Sequence, residues 1–449
     1  MMKKRVLLIS YYFAPQNTIG AIRPTKMAKY LERMGYEVTV ICGGGLDEKV
    51  DPTLQRDLEQ LKDIHLIREW NPLRDRAIRK AQAQQASAPA TPAVKPESAQ
   101  HPAASSGLVA RLKGMVGKML DNVYLYLFWL SDRDFGRKAR AEIRKLQGNY
   151  DCVLSSYATI SVHEAGLYAK KSGKAKKWIA DFRDEVNMAF SWQAGRQRRY
   201  IKMVRDNADL LTGVSYGVLD MMDMEETGRV LTNGFDREDL PQVDVERTDD
   251  KLRIVYCGYI SEGRKNAPNR DLSPLMKTIR ALIDEGLLTK DEVQLVYAGS
   301  QSPLFVQVAE ESGLQDCVED HGMVSRQESI RLQLSADILL MASWHMTGRK
   351  GILTGKLFEY MMMNKPVVCC MSGDLTGSDV KGVLDTTGIG FCYEQAAGQA
   401  DADALKTFVK GIVQRKHQGL PLMDGSRLDA INAYSYPDLV ARMASWIDE

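Results

Sequence analysis

The sequence has no run of 18 or more uncharged apolar residues, so no segment is expected to cross a bilayer as a helix. It has no strong charge of either sign. Sixty Lys and Arg face 58 Asp and Glu, for a formal charge of +2 over 449 residues. A chain-wide basic footprint for nucleic acid is therefore missing, and no nucleic-acid partner is expected. The seven cysteines, Cys42, Cys152, Cys257, Cys317, Cys369, Cys370 and Cys392, include no CxxC spacing. Their number is odd and most sit in apolar runs, which favours buried reduced thiols over disulfides or a zinc site. The basic start, Met1 to Arg5, is followed by only four apolar residues and then a loop with Pro15. That is too short for a secretory leader, so a cytoplasmic location is expected. With 44% apolar and 26% charged residues, wholesale disorder is excluded and two large domains or about three smaller ones are expected.

What is present reads as alternating strands and helices. Residues 5–9 are a short apolar run, as in a parallel strand covered on both faces. Residues 10–20 carry the loop formers Pro15, Asn17 and Gly20. Met27, Leu31 and Met34 recur at helical spacing before Gly35, and 37–41 is the next strand. This βαβ start predicts an α/β sheet with its ligand crevice at the carboxyl ends of the strands. Further strands are expected at 152–155, 178–180, 210–214 and 230–236, and a hinge at the charged run 244–251. A second series follows at 252–257, 293–298, 338–341 and 366–370, and 439–447 is an amphipathic terminal helix.

Two segments interrupt the pattern. Residues 84–107 are dominated by Ala, Ser, Gln and Pro and are expected to be a disordered insertion. In 108–130, Leu108, Leu112, Met115, Met119, Val123 and Leu127 (or Tyr126) trace a helical stripe flanked by Arg111, Lys113 and Lys118. Two readings stand side by side: a core helix with solvated sides, and an interfacial helix on an anionic membrane surface. Tyr124, Tyr126, Phe128 and Trp129 favour the second.

Residues 351–368 read GILTGKLFEYMMMNKPVV. A Gly-containing loop feeds a helix whose first turns carry Thr354, Gly355, Lys356 and Glu359. Free N–H groups at a helix start attract phosphate, Lys356 adds a point charge, and Glu359 is suited to accept from ribose hydroxyls. An ordinary helix start with an i,i+3 ion pair is the competing reading. Residues 256–265 read YCGYISEGRK, with Arg270 beyond. Gly258 ends a strand there, and Arg264, Lys265 and Arg270 are placed to clamp a pyrophosphate or form a solvated basic loop. Gly299 (VYAG) and Gly322 (HGMV) close two more strand ends where backbone can approach a base.

In the order and spacing of these pieces the chain resembles the GT-B glycosyltransferases of the glycosyltransferase family 4-like (GT4-type) superfamily. The matching pieces span most of the sequence: the loop to Gly20, Ser215, NGFD at 233–236, Gly258, Gly299, Gly322, GKLFEY at 355–360 and KPVV at 365–368. IADFRD at 179–184 resembles a DLRDPW-like motif of a narrower subgroup, with Ser155, Ser156 and the segment around His163 as its upstream partner. The resemblance implies two Rossmann-like doubly wound domains facing an interdomain cleft, 1–243 for the acceptor and 244–430 for the nucleotide-sugar, with a helix in 431–449 crossing back to the first. It implies transfer from a UDP- or GDP-linked sugar to a glycan or lipid-linked acceptor in surface polysaccharide biosynthesis, retaining and without metal or other cofactor, peripherally on the inner membrane face if 108–130 docks there. Carried over by position, Glu359 holds the ribose, and Thr354, Gly355 and Lys356 face the pyrophosphate with Gly20. Met323 and Val324 border the base, and Arg264 or Lys265 stands where the family has a phosphate-binding lysine.

The sequence departs from the family at two points. The first glutamate of the usual E-x7-E pair falls at Gly351, as in subgroups with the GKLFEY form, and the arginine after the first strand falls at Tyr259, where Arg270 is the candidate substitute. Arg264, Lys265, Arg270 and Lys356 are then expected to stabilise the departing diphosphate, and Asp184, with Asp181 next, to accept the acceptor's proton. The alternatives to transfer are a non-catalytic nucleotide-sugar scaffold and a sugar-nucleotide epimerase. Asp132 and Asp134 match a metal-binding DxD, but are expected to lie between two helices rather than at a nucleotide site; His163, His345 and the Met361–Met363 run are expected to be structural.

Overall fold

The computed structural model describes residues 3–44, 50–72, 107–186, 194–241, 245, 247, 249–261, 270–348, 353–423 and 427–449, excepting the side chains of 107–122 and 194. The insertion expected at 84–107 lies outside the described residues up to 106. The chain divides into two compact units, Met1–Asp181 with Val186–Leu210, and Phe182–Glu185 with Leu211–Glu449.

Two parallel sheets carry the architecture. The first contains β1 (Arg5–Ser10), β2 (Glu37–Gly43), β3 (Asp63–Ile67), β4 (Tyr150–Ser156), β5 (Ala175–Phe182), β6 (Leu210–Gly213) and β7 (Gly228–Val230), in the order β3-β2-β1-β4-β5-β6-β7. The second contains β8 (Leu252–Cys257), β9 (Val293–Ala298), β10 (Val318–Asp320), β11 (Ile338–Trp344), β12 (Val367–Ser372) and β13 (Gly390–Glu394), in the order β10-β9-β8-β11-β12-β13. In both, strand order reverses beside the first strand, at β1/β4 and β8/β11. Such a switch point leaves a crevice outside the carboxyl ends of the strands.

Continuous apolar runs form the central strands because both faces are covered. Val6, Leu7, Leu8 and Ile9 are fully buried. In β8, alternate residues feed different cores: Val255 and Cys257 join Met341, Leu357 and Met361, while Leu252, Ile254 and Tyr256 join Leu275, Leu295 and Leu340. This is the period of two that a doubly covered strand requires. The methionines Met361, Met362 and Met363 fill the first of these cores, as expected. All seven cysteines are free and buried.

Two expectations need correction. Residues 108–130 are not a separate helix: a single helix, Gly107–Lys145, runs through Asp132 and Asp134 without a break. No Pro or Gly lies between Tyr124 and Phe135 to stop it. Its later part is core, with Phe135, Ala139 and Ile143 buried, whereas Val123, Tyr124, Tyr126 and Phe128 are exposed. Residues 231–236 are not strand either, since β7 ends at Val230. Gly234 instead runs close to the chain before the terminal helix Tyr436–Asp448, and Phe235 N–H donates to Tyr434 O at 3.2 Å. A Cβ on Gly234 would lie 2.6 Å from that same oxygen.

Candidate functional site

The second sheet's switch point is built from glycine outward. Gly258 follows β8 with φ +139, a conformation that disfavours side chains. Its N–H donates to Ala298 O at 2.8 Å, and its carbonyl accepts from Tyr297 Oη at 3.1 Å. Beside it, Gly299 N–H donates to Gly322 O at 2.8 Å. A Cβ on Gly299 would meet Gly258 O at 2.3 Å. The ends of β8, β9 and β10 are thus locked together through backbone that only glycine allows to approach.

The helix Gly355–Met363 leads into this region. Thr354 stands at its N-cap with no side-chain capping bond, so among the described residues no side chain caps the positive end of the helix, which favours an anion. Lys356 Nζ lies 4.2 Å from the centroid of the Tyr256 ring, and a Cβ on Gly258 would be only 2.5 Å from it. Burial lowers the Lys356 pKa to about 8, and Arg270 pushes it the same way, against the opposing pull of Cys257 and Glu359. Arg270 in turn donates from Nη1 to Tyr259 O at 3.2 Å and lies 5.2 Å from the Trp344 ring at the end of β11. The guanidinium therefore reaches the backbone of the residue where the family's arginine was expected. Glu359, one turn into the helix, accepts from Gln333 Nε2 at 2.6 Å.

The base-bordering residues differ from one another. Gly322 is at φ +58, Met323 is 77% exposed, and Val324 packs against the first core. Arg264 and Lys265, and Gly351, lie outside the described residues. What can be described is an uncapped helix start, two cations and a half-buried carboxylate around the carboxyl end of β8, a set suited to a diphosphate joined to a polyhydroxyl group.

Among solved structures, the chain is similar to a glycosyltransferase from Rickettsia africae ESF-5, with 16% identity, a TM-score of 0.56 and coverage of 99% of this chain and 98% of that one. It is similar to the N-terminal domain of a trehalose-6-phosphate phosphatase from Candida albicans, with 11% identity, a TM-score of 0.57 and coverage of 99% and 97%. It also matches a sucrose-phosphate synthase from Thermosynechococcus elongatus, with 14% identity, a TM-score of 0.54 and coverage of 99% and 98%. The chain has the GT-B fold. No family model matches the sequence, and no curated protein matches it significantly.

Elsewhere in this GT-B chain, the other predicted residues have different settings. Gly20 is not in a loop but in the first turn of the helix Ile19–Arg33, where its N–H is taken by Thr18 Oγ1 at 3.3 Å. Asp184 is exposed and accepts from Glu185 N–H at 3.0 Å. Loss of water around its carboxylate raises its pKa nonetheless, against the Glu185 N–H and the charge of Arg183. Asp181 is fully buried and forms a bidentate pair with Arg23, at 2.7 and 3.0 Å, while Ser156 Oγ donates to it at 2.9 Å. His163, also fully buried, shares a 2.7 Å hydrogen bond with Ser155 Oγ, which accepts from Trp178 Nε1 at 2.8 Å. Burial lowers the His163 pKa to about 3. The DxD carboxylates are engaged separately. Asp132 accepts from Ser161 Oγ, and burial raises its pKa to about 6. Asp134 accepts from Trp70 N–H at 2.8 Å and pairs with Arg137 and Lys138.

Gln333 and Arg23 are the polar contacts that the sequence did not single out. A cavity of 420 Å³ also opens at the carboxyl ends of β12 and β13, lined by Asp271, Ser273, Lys277, Ser372, Tyr393 and Gln399 among others. None of the predicted site residues lines it.

Proposed function

We propose that the chain is a glycosyltransferase that moves a sugar from a nucleoside-diphosphate sugar to a glycan or lipid-linked acceptor, without a metal and with retention. The observation that carries the reading is the convergence of the open helix start at Thr354 and Gly355 with Lys356, Arg270 and Glu359 at the end of β8. As the sugar–phosphate bond breaks, negative charge grows on the departing diphosphate. Lys356 and Arg270, held by Tyr256, Tyr259 and Trp344 before substrate arrives, stabilise that charge with little reorganisation. Removing one such donor typically costs about 10²–10³ in rate. Glu359 accepts from the ribose hydroxyls, and Met323 and Val324 border the base. Arg264 and Lys265 join the diphosphate. Asp184 takes the acceptor proton, its raised pKa making it a stronger base than an ordinary carboxylate.

The product belongs to surface polysaccharide synthesis, and the stretch 108–130 of the helix Gly107–Lys145 rests on an anionic membrane. The exposed side chains of Val123, Tyr124, Tyr126 and Phe128 support that second point. No helix among the described residues is long and apolar enough to cross a membrane. Flotation with phosphatidylglycerol vesicles checks it: replacing Tyr124, Tyr126 and Phe128 by serine should abolish co-flotation, and unchanged flotation removes the membrane role.

Incubation with a panel of UDP-, GDP- and ADP-sugars tests the enzyme reading. Release of free nucleoside diphosphate, even as slow hydrolysis, is the expected result. Binding with no release from any donor would point to a scaffold, and an isomerised sugar nucleotide to an epimerase.

A further inference from the structure

We infer that Gln333 is a positioning residue for nucleoside recognition: it fixes the Glu359 carboxylate in the orientation that a ribose diol meets. The inference rests on the reading above that Glu359 holds the ribose. Gln333 lies in the helix Arg326–Leu334 and is 1% exposed. Its side-chain amide nitrogen carries two hydrogens, and both are committed. One goes to Glu359 Oε1 at 2.6 Å, the other to Ser329 Oγ at 3.0 Å. Turning the amide over would set its oxygen against the carboxylate, acceptor on acceptor. The amide therefore has one workable orientation, and it pins one oxygen of Glu359 while leaving Oε2 for a sugar hydroxyl.

The donor bonds come with an acceptor left over. Gln333 Oε1 is buried and accepts no hydrogen bond among the described residues, and an orphaned buried acceptor carries a desolvation cost. A methionine of similar length would fill the same space without that acceptor, but would leave Glu359 Oε1 and Ser329 Oγ without their donor. The short donor–acceptor distance to Glu359 fits a bond to a charged acceptor. Gln333 thus holds a carboxylate ready at the expense of an unsatisfied atom of its own, in a helix with no predicted substrate contact.

The test compares the affinity of the full-length protein for uridine diphosphate and for its 2′,3′-dideoxy analogue, with guanosine and adenosine pairs in parallel. The wild type should prefer the ribonucleotide by about tenfold, the size of one charge-assisted hydrogen bond. Gln333→Met should shrink that preference to below about threefold and leave affinity for the dideoxy analogue unchanged. A preference that survives Gln333→Met, or a parallel loss of both affinities, overturns the inference. Glu359→Gln in the same assay keeps the two claims apart: if the wild-type preference survives that change, or the wild type shows none, the ribose reading itself has failed.

Discussion

Lys356 Nζ sits over the face of Tyr256, 4.2 Å from the ring centroid, in space that exists because residue 258 has no Cβ. A cation over an aromatic face keeps its charge more easily than burial alone would allow. Its pKa is nevertheless lowered to about 8, chiefly by burial. Lys356 is then charged below that pH and neutral above it. Affinity for a nucleoside diphosphate should fall as pH rises through about 8, and titration calorimetry across that range should show it. Lys356→Arg should flatten the profile, and Lys356→Gln should weaken binding by about 10- to 100-fold, the worth of a hydrogen bond to a charged group.

Gly258→Ala and Gly299→Ala should separate binding from folding. At 258 the added methyl meets the mobile end of Lys356 at 2.5 Å, whereas at 299 it meets the Gly258 carbonyl at 2.3 Å. The first variant should fold, with about 1–3 kcal/mol of backbone strain, and lose nucleotide affinity through the displaced ammonium. The second cannot relieve its clash without parting β8 from β9, so thermal unfolding should show the larger loss of stability. Equal affinity losses at equal stability would contradict this division.

Arg23 and Asp181 form a pair with almost no access to water. Breaking a buried pair from one side leaves a buried charge without its counter-charge, at a typical cost of about 3–5 kcal/mol. Arg23→Met should be destabilised on that scale in urea unfolding. Adding Asp181→Asn should recover part of the loss, and no recovery would mean that the cost lies in packing rather than charge.

His163 sets an acid limit. Its folded pKa is about 3 against an ordinary 6.5, so the unfolded chain binds a proton that the folded chain refuses. Its share of stability is complete above pH 6.5 and is lost as pH falls toward 3. His163→Gln should flatten that limb of the stability curve in pH-dependent urea unfolding; an unchanged slope would exclude His163 as its source.

The pattern of residues made some of this legible and not the rest. Strands β8 and β9 coincide with their apolar runs because both faces are covered. By contrast, β3, with the sequence DIHLI, is an edge strand with exposed Ile64 and Leu66, and its mixed polarity hides it. The helix around Lys356 and Glu359 is announced by local spacing. Gln333 is 26 residues from Glu359 and becomes its partner only through the packing of two helices. Arg23 is 158 residues from Asp181 and is joined to it by the sheet's strand order. Local periodicity carries no record of either meeting.

A crystal structure of the protein with a bound nucleoside diphosphate tests the central claim most directly. The diphosphate should accept from the N–H groups of Gly355 and Lys356, with Lys356 Nζ and Arg270 turned toward it and a ribose hydroxyl on Glu359. Density for the nucleotide away from the start of the helix Gly355–Met363, or a ribose that leaves Glu359 untouched, would contradict the account.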